Sequence, residues 1–147
     1  YGAGSFYVVT PLKTQKELVE RMVGHWMKGF GAEYNPTRKD ALQQTKVIKS
    51  LDEVIKELTE QSEETPRVVV TSAKEVPNSI GYKSLREKLS EGGGPVLLVF
   101  GTGWGLEKNL IKNADYVLEP IQGNSGFNHL PVRGAIAIIL DRLLGWY

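Results

Sequence analysis

The sequence predicts an α/β protein whose mostly parallel sheet is covered by helices on both faces. Short runs rich in β-branched residues recur along the 147 residues, each bounded by Pro, Gly or polar residues. Segments with apolar residues at helical spacing separate these runs, as in parallel sheets joined by crossover helices. The length and the 41% hydrophobic content fit a single domain over residues 1–147.

The N-terminal part of the chain predicts a strand followed by a long amphipathic helix. Residues 6–10 (FYVVT) read as a buried strand that Pro11 ends. A helix is expected over residues 14–30, ended by Gly29 and Gly31, because apolar residues recur there at helical spacing. These positions are Leu18, Val19, Met22, Val23, Trp26, Met27 and Phe30.

Two capping signals predict further helices before the middle of the chain. Asp40 stands three residues after Thr37, in the position of a capping box that opens a second helix. Residues 47–49 predict a short strand. Ser50 and Glu53 then form another capping box, so a third helix is expected to follow.

The C-terminal half continues the alternation of strands and helices. Its apolar, β-branched runs are typical of strands buried in a parallel sheet, and its last helix is apolar over most of its circumference. The predicted strands are residues 67–71 (RVVVT), 96–100 (VLLVF) and 116–118, and the predicted helices are residues 84–91, 106–113 and 132–144.

Composition excludes several classes of protein. The formal net charge of +1 gives no overall field that would indicate a nucleic-acid or membrane partner. The absence of cysteine excludes disulfides and thiolate metal ligands, and two histidines make a metal site unexpected. No apolar run is long enough for a membrane span. A soluble, cytoplasmic protein without a metal site is therefore expected.

The segment Gly101–Gly105 (GTGWG) directly follows a predicted strand and precedes a helix. Glycines at such a position let backbone N–H groups approach a ligand closely. Leu106 stands where a dinucleotide fingerprint needs its third glycine, and no Gly-Lys-Ser/Thr follows as in a phosphate-binding P-loop. The alternative is a simple tight turn, but Trp104, a large aromatic between glycines, favours a ligand-binding loop.

A second loop spans residues 120–131, which is long for a connection inside a compact domain. Its neutral donors and acceptors suit a neutral or zwitterionic ligand: Gln122, Asn124, Ser125, Asn128 and His129. For His129, a helix-capping or core role is the alternative. Thr71, Ser72 and Ala73 stand at the end of a third strand, where a purely structural role is the alternative. Because three such loops would meet, the sequence predicts one ligand crevice at the carboxyl end of the sheet.

The runs LLVFGTGWGL and DYVLEPIQGNSGFNHLPVRGAIAIILDRLLG resemble the C-terminal motifs of SPOUT (α/β-knot) RNA methyltransferases. GFGAEYNPTRKDAL and VVVTSAK extend the resemblance to a bacterial subfamily of S-adenosylmethionine (SAM)-dependent enzymes, sometimes fused to a tRNA (guanine-N1) methyltransferase. The resemblance implies a C-terminal trefoil knot that holds SAM, and a homodimer formed through the last helix. The interface would take up its apolar residues Ile136, Ile138, Ile139, Leu140, Leu143 and Leu144.

The hypothesis of methyl transfer makes His129 our candidate for a polar group near the transferring methyl group, with Asn128 and Arg133 orienting substrate or phosphate. The resemblance assigns the cofactor site. The cofactor-binding residues would be Thr71, Ser72, Ala73, Gly101, Thr102, Gly103, Trp104, Gly105, Leu106, Ile121 and the 125–130 segment with Ser125, Asn128, His129 and Leu130. A basic cluster would contact RNA phosphates, or else form a solvated helix face: Arg38, Lys39, Lys46 and Lys49.

The chain departs from the subfamily at its start. It begins without Met, and an N-terminal strand and helix with an Asn-Leu-Asp…His-Asp…Ala-Arg segment would precede Tyr1, so a fragment is expected. The catalytic role of that segment's arginine in related ribose methyltransferases is not transferred to Arg38. The implied activity is SAM-dependent methylation of tRNA or rRNA at a ribose 2′-oxygen or a base nitrogen. The alternatives are a non-catalytic cofactor- or RNA-binding accessory domain of a fused or partner methyltransferase, and a different nucleotide-binding enzyme.

Overall fold

The computed structural model describes residues 1–125 and 128–146. The contacts within the chain divide it into an N-terminal unit, Gly2–Gln61, and a C-terminal unit that runs from Ser62 onward and includes Tyr1. A single domain over residues 1–147 stays a prediction. The elements are β1 (Phe6–Val9), α1 (Lys13–Met27), α2 (Phe30–Tyr34), α3 (Pro36–Gln43), β2 (Thr45–Ile48), α4 (Leu51–Ser62), β3 (Arg67–Thr71), α5 (Tyr82–Ser90), β4 (Val96–Val99), α6 (Lys108–Asn113), β5 (Tyr116–Leu118) and α7 (Val132–Leu144).

All strand pairs between these elements are parallel, as predicted. In the N-terminal unit, β1 pairs with β2, with Phe6 opposite Thr45. In the C-terminal unit, β3 lies between β4 and β5 in the order β4-β3-β5. The α/β class is therefore confirmed, but the expected continuous sheet is replaced, among the described residues, by a two-stranded and a three-stranded sheet. The division follows the two units, because each sheet is made only of strands from its own unit.

The N-terminal unit corrects two expectations. The first helix ends at Met27 instead of residue 30, because Lys28 is extended and Gly29 takes a φ of 63°, and no helix continues through either conformation. The chain then begins α2 at Phe30. The first strand is not buried: Phe6 is 52% and Val9 43% exposed, since among the described residues β1 is an edge strand of a two-stranded sheet.

Side-chain caps begin the next two long helices. Helix α3 starts after Asn35, whose Oδ1 accepts the Arg38 N–H at 2.9 Å, so the capping residue is Asn35 and not Thr37. Before α4, the Ser50 hydroxyl accepts the Glu53 N–H at 3.3 Å, as the capping-box prediction requires.

The C-terminal unit has an apolar core formed by β3, α5, β5 and α7. Its buried members are Val69, Leu85, Leu118, Ile139 and Leu143, each at most 3% exposed. Burial of such side chains stabilises a fold by about 1.5–3 kcal/mol each. Of the six α7 residues assigned to an interface, Ile139 and Leu143 are thus taken up by the unit's own core, whereas Leu144 is 39% exposed.

No helix in the described part of the chain is both long and apolar enough to cross a membrane.

Candidate functional site

The carboxyl ends of three strands meet at one edge of the C-terminal sheet. Thr71, the last residue of β3, is opposite Leu118, the last residue of β5. On the other side Val70 is opposite Val99, the last residue of β4. The Thr71 hydroxyl donates a hydrogen bond of 3.0 Å to the Val99 carbonyl oxygen, which joins the ends of β3 and β4. The three loops that the sequence singled out therefore start side by side, where α/β sheets bind their ligands.

The loop after β4 is a tight glycine turn. The Gly105 N–H donates to the Thr102 carbonyl oxygen at 2.8 Å, and Gly105 takes a φ of 81°. A Cβ atom on Gly101 would lie 2.6 Å from the Gly105 carbonyl carbon, so Gly101 must lack a side chain. A Cβ on Gly103 would meet no atom within 4 Å, and the Trp104 side chain is 100% exposed. The turn thus presents its outer backbone and one large aromatic ring to open space.

The loop after β5 is tied back to the chain that follows β3. The Asn128 amide donates a hydrogen bond of 2.9 Å to the Ala73 carbonyl oxygen. The Gln122 amide donates one of 2.6 Å to a Glu75 carboxylate oxygen. Ile121 packs against the apolar core. Two segments that the sequence separates by about fifty positions are therefore held together at the edge of the sheet.

The three residues predicted to act on the substrate occupy different environments. Asn128 is half-buried at the end of β3, where its amide positions the loop by binding Ala73. His129 is exposed, and Arg133 is exposed in the first turn of α7. Gly126 and Phe127, which belong to the predicted cofactor segment 125–130, lie outside the described residues. The cofactor and catalytic roles of all these residues stay predictions.

The chemistry of the edge fits SAM. None of the residues assigned to the cofactor carries a carboxylate, and their side chains are neutral donors, acceptors or apolar groups. Backbone groups of the 101–105 turn border open space, and a ligand there would meet main-chain atoms instead of side chains. Such a surface suits a zwitterion with an adenosine moiety.

A cavity of about 380 Å³ lies beside this edge and was not predicted. Its lining residues are Glu75, Val76, Ser79, Glu119, Pro120, Gln122 and Arg142. The Ile80 N–H donates to the Val117 carbonyl oxygen at 2.8 Å, and the Glu119 N–H donates to the Ile80 carbonyl oxygen at 2.9 Å. This extra parallel bridge brings Glu75 and Glu119 to one cavity. Because the bridge is a tertiary contact, no spacing along the chain could have revealed the two carboxylates.

The predicted basic cluster is only partly available to a phosphate. The Lys46 ammonium lies 2.5 Å from a Glu57 carboxylate oxygen in the N-terminal unit, so its charge is compensated. Arg38 is exposed, with its guanidinium carbon 4.3 Å from the centroid of the Trp26 ring. Lys49 is exposed as well, whereas Lys39 is half-buried. The cluster therefore reduces to Arg38, Lys39 and Lys49.

Fold and site together define a parallel α/β protein whose sheet edge has the chemistry predicted for a SAM site, and comparison with known proteins specifies its family. Residues 1–145 match the profile of a family of SAM-dependent RNA methyltransferases, and the chain belongs to that family. This match confirms the predicted enzyme class, an RNA methyltransferase, and the predicted cofactor, SAM. It also confirms the resemblance to RNA methyltransferases. The alternative of a different nucleotide-binding enzyme is wrong.

Two sequence relatives cover nearly the whole chain. A protein of Aquifex aeolicus is 38% identical over 143 residues, which are 97% of this chain and 70% of that protein. A tRNA (guanine-N(1)-)-methyltransferase of Nitratidesulfovibrio vulgaris is 43% identical over 145 residues, which are 99% of this chain. The chain spans 33% of the length of that methyltransferase.

Solved structures show the same fold at low sequence identity. TrmJ from Z. mobilis is 17% identical, with a TM-score of 0.60 over 97% of this chain and 68% of that one. An AdoMet-bound rRNA methyltransferase from Sinorhizobium meliloti is also 17% identical, with a TM-score of 0.55 over 97% of this chain and 46% of that one.

Proposed function

We propose that the chain binds SAM at the carboxyl edge of the β4-β3-β5 sheet and transfers its methyl group to tRNA or rRNA. The observation that carries this proposal is the convergence of three loops at that edge. They are joined by the hydrogen bonds from Thr71 to Val99 and from Asn128 to Ala73. Family membership supports the reaction class. The convergence of the loops supports the proposed location.

Methyl transfer from SAM requires little acid–base chemistry from the protein. When bound, SAM supplies a methyl group already activated on a sulfonium, so the protein mainly aligns an in-line attack and accepts a proton. The backbone of the turn at Gly101–Gly105 holds the cofactor. An imidazole nitrogen of His129 accepts the proton from a ribose 2′-hydroxyl or a base N–H, while Arg133 binds a neighbouring phosphate. Asn128 keeps the His129 backbone in place through its bond to Ala73.

The finer architecture implied by the SPOUT resemblance belongs to the same proposal. The segments 101–106, 121–125 and 128–130 belong to a trefoil knot around the cofactor, and two copies associate through α7 in the cytoplasm. The exposed Leu144 and the half-buried Ile136, Ile138 and Leu140 supply the apolar contacts. Sedimentation equilibrium tests the dimer directly.

The test of the activity is transfer of a tritiated methyl group to purified tRNA and rRNA. We expect wild type to label one of the two, and His129→Ala to lower the rate by about 10²-fold, as loss of a general base does. Because His129 is also among the predicted cofactor residues, the rate is measured at a saturating concentration of SAM, so that weaker cofactor binding does not account for the loss. S-adenosylhomocysteine (SAH) binding is measured alongside. A variant that transfers methyl groups at the wild-type rate would contradict the assigned role of His129.

A second candidate function is that of a cofactor- or RNA-binding accessory domain acting with a fused or partner methyltransferase. One observation favours it: in the tRNA (guanine-N(1)-)-methyltransferase relatives, the matched region is 33% of a longer protein. The same assay separates the two candidates. Binding of SAH without methyl transfer to any RNA would support the accessory role and overturn the enzymatic one for this chain.

A further inference from the structure

The short helix α2 in the N-terminal unit carries an exposed pair of aromatic rings. Phe30 is 77% and Tyr34 71% exposed. The two rings are stacked, with centroids 5.7 Å apart and planes inclined by 22°. Two large, parallel rings in contact with water are an unfavourable arrangement unless another group covers them.

The backbone below this pair is held firmly. Gly29 turns the chain with a φ of 63°, and Gly31 is buried against the end of α1. A Cβ atom on Gly31 would overlap the His25 carbonyl oxygen, so the two helices touch through their main chains. The pair of rings is therefore a preformed surface and not the end of a loose loop.

The same stretch of chain is the most basic part of the molecule. Six Lys or Arg residues lie from Arg21 to Lys49 against two carboxylates, Glu33 and Asp40, a net charge of +4 compared with +1 for the whole chain. Lys46 is paired with Glu57. Arg38 stays exposed over the Trp26 ring, and His25 packs edge-on to that ring with centroids 5.1 Å apart.

We propose that Phe30, Tyr34 and Arg38 form a binding surface for unpaired RNA nucleotides. Bases stack on the two rings, and Arg38 with Lys39 and Lys28 binds the phosphates. Stacking on exposed aromatics beside cationic side chains is the usual way in which proteins hold single-stranded nucleic acid. The positive charge favours RNA over a protein partner for this apolar surface. The inference rests on the proposed RNA methyltransferase function and adds the contact that the substrate makes with the N-terminal unit.

The test is fluorescence anisotropy with a labelled 12-nucleotide single-stranded RNA and the corresponding 12-base-pair duplex. We expect the single strand to bind more tightly. Phe30→Ala and Tyr34→Ala should each weaken it by about 5- to 100-fold, since one base loses its stacking partner. Phe30→Trp keeps an aromatic face and should restore binding. Met22→Ala is the matched control, because Met22 is 60% exposed on α1 and has no ring.

Three outcomes are distinguishable, with circular dichroism confirming that each variant is folded. Loss of RNA binding in Phe30→Ala with SAH affinity unchanged supports the surface. Unchanged RNA affinity in both alanine variants overturns the proposed RNA-binding surface, even if wild type transfers methyl groups to RNA. If those variants also lose self-association, the two rings contact a second copy of the chain instead. A wild-type chain that binds neither SAH nor RNA overturns the proposed function itself.

Discussion

At the scale of single residues, Glu57 is the most connected polar side chain of the N-terminal unit. One of its carboxylate oxygens accepts from the Tyr7 hydroxyl at 3.0 Å, from the Lys46 ammonium at 2.5 Å and from the Gln61 amide at 3.0 Å. The bond from Lys46 is the main reason that the pKa of Glu57 falls below its ordinary 4.5. Glu57 thereby joins β1 and β2 to α4.

Glu57→Gln should destabilise the chain at pH 7 by about 0.5–1 kcal/mol, the upper range for a pair that is partly exposed. The stabilisation is present above the ordinary pKa of 4.5 and is lost as pH falls through the lowered folded pKa. Urea unfolding at pH 7 and in acid measures both effects. Glu60→Gln on the same helix is the control, since its pair with Lys56 is 3.8 Å long and exposed. An equal loss of unfolding free energy in Glu57→Gln and Glu60→Gln would contradict the stabilising role assigned to Glu57.

Two glycines of the turn after β4 should respond differently to substitution. Gly101→Ala places a methyl group within 3 Å of the Gly105 backbone, so we expect it to open the turn and lower the melting temperature by several degrees, as about 1–3 kcal/mol of overpacking does. Gly103→Ala meets open space and should leave the melting temperature unchanged. Calorimetry measures the melting temperature of both variants. A larger decrease in Gly103→Ala than in Gly101→Ala would show that the turn has another geometry.

At the scale of elements, strands were easier to predict than the ends of helices. Residues 67–71 and 116–118 were predicted as strands with the bounds they have, because β-branched runs bounded by polar residues leave few alternatives. The first helix was predicted through Phe30, since the apolar spacing continues past the residue where the helix ends. The left-handed turn at Gly29 and the packing of Gly31 on His25 are tertiary features that periodicity does not contain.

The cap of α3 offers a test at this scale. Asn35→Ala removes the acceptor of the Arg38 N–H and should cost about 1 kcal/mol of folding free energy. Asn35→Asp keeps an oxygen that can accept this N–H, so it should retain most of that folding free energy. Thr37→Ala, at the position that sequence pattern alone favoured as the cap, should have little effect. Urea denaturation measures the free energy of unfolding of the three variants. A larger loss of stability in Thr37→Ala than in Asn35→Ala would show that Thr37 caps the helix.

At the scale of the whole molecule, the sequence predicted that three loops meet at one edge of the sheet, but not the contacts that hold these loops together. Parallel strands have their carboxyl ends at the same edge of a sheet, so the loops that follow them start close together. Thr71, Gly101 and Ile121 could therefore be assigned to one site from the sequence. The bond from Asn128 to Ala73 and the cavity beside Glu119 depend on how loops fold back, which strand periodicity does not encode. The separation of the strands into two sheets was likewise invisible, because each strand is apolar enough for either arrangement.

The central claim is that the turn at Gly101–Gly105 forms part of a SAM site. Isothermal titration of wild type and Gly103→Val with SAH tests it most directly, because a Cβ atom at residue 103 meets no protein atom within 4 Å and the added side chain projects toward the space assigned to the ligand. The account predicts saturable binding to wild type and at least about tenfold weaker binding to the variant, a loss of 1.4 kcal/mol or more, at an unchanged melting temperature. No heat with wild type, or equal affinity in the two proteins, would contradict it.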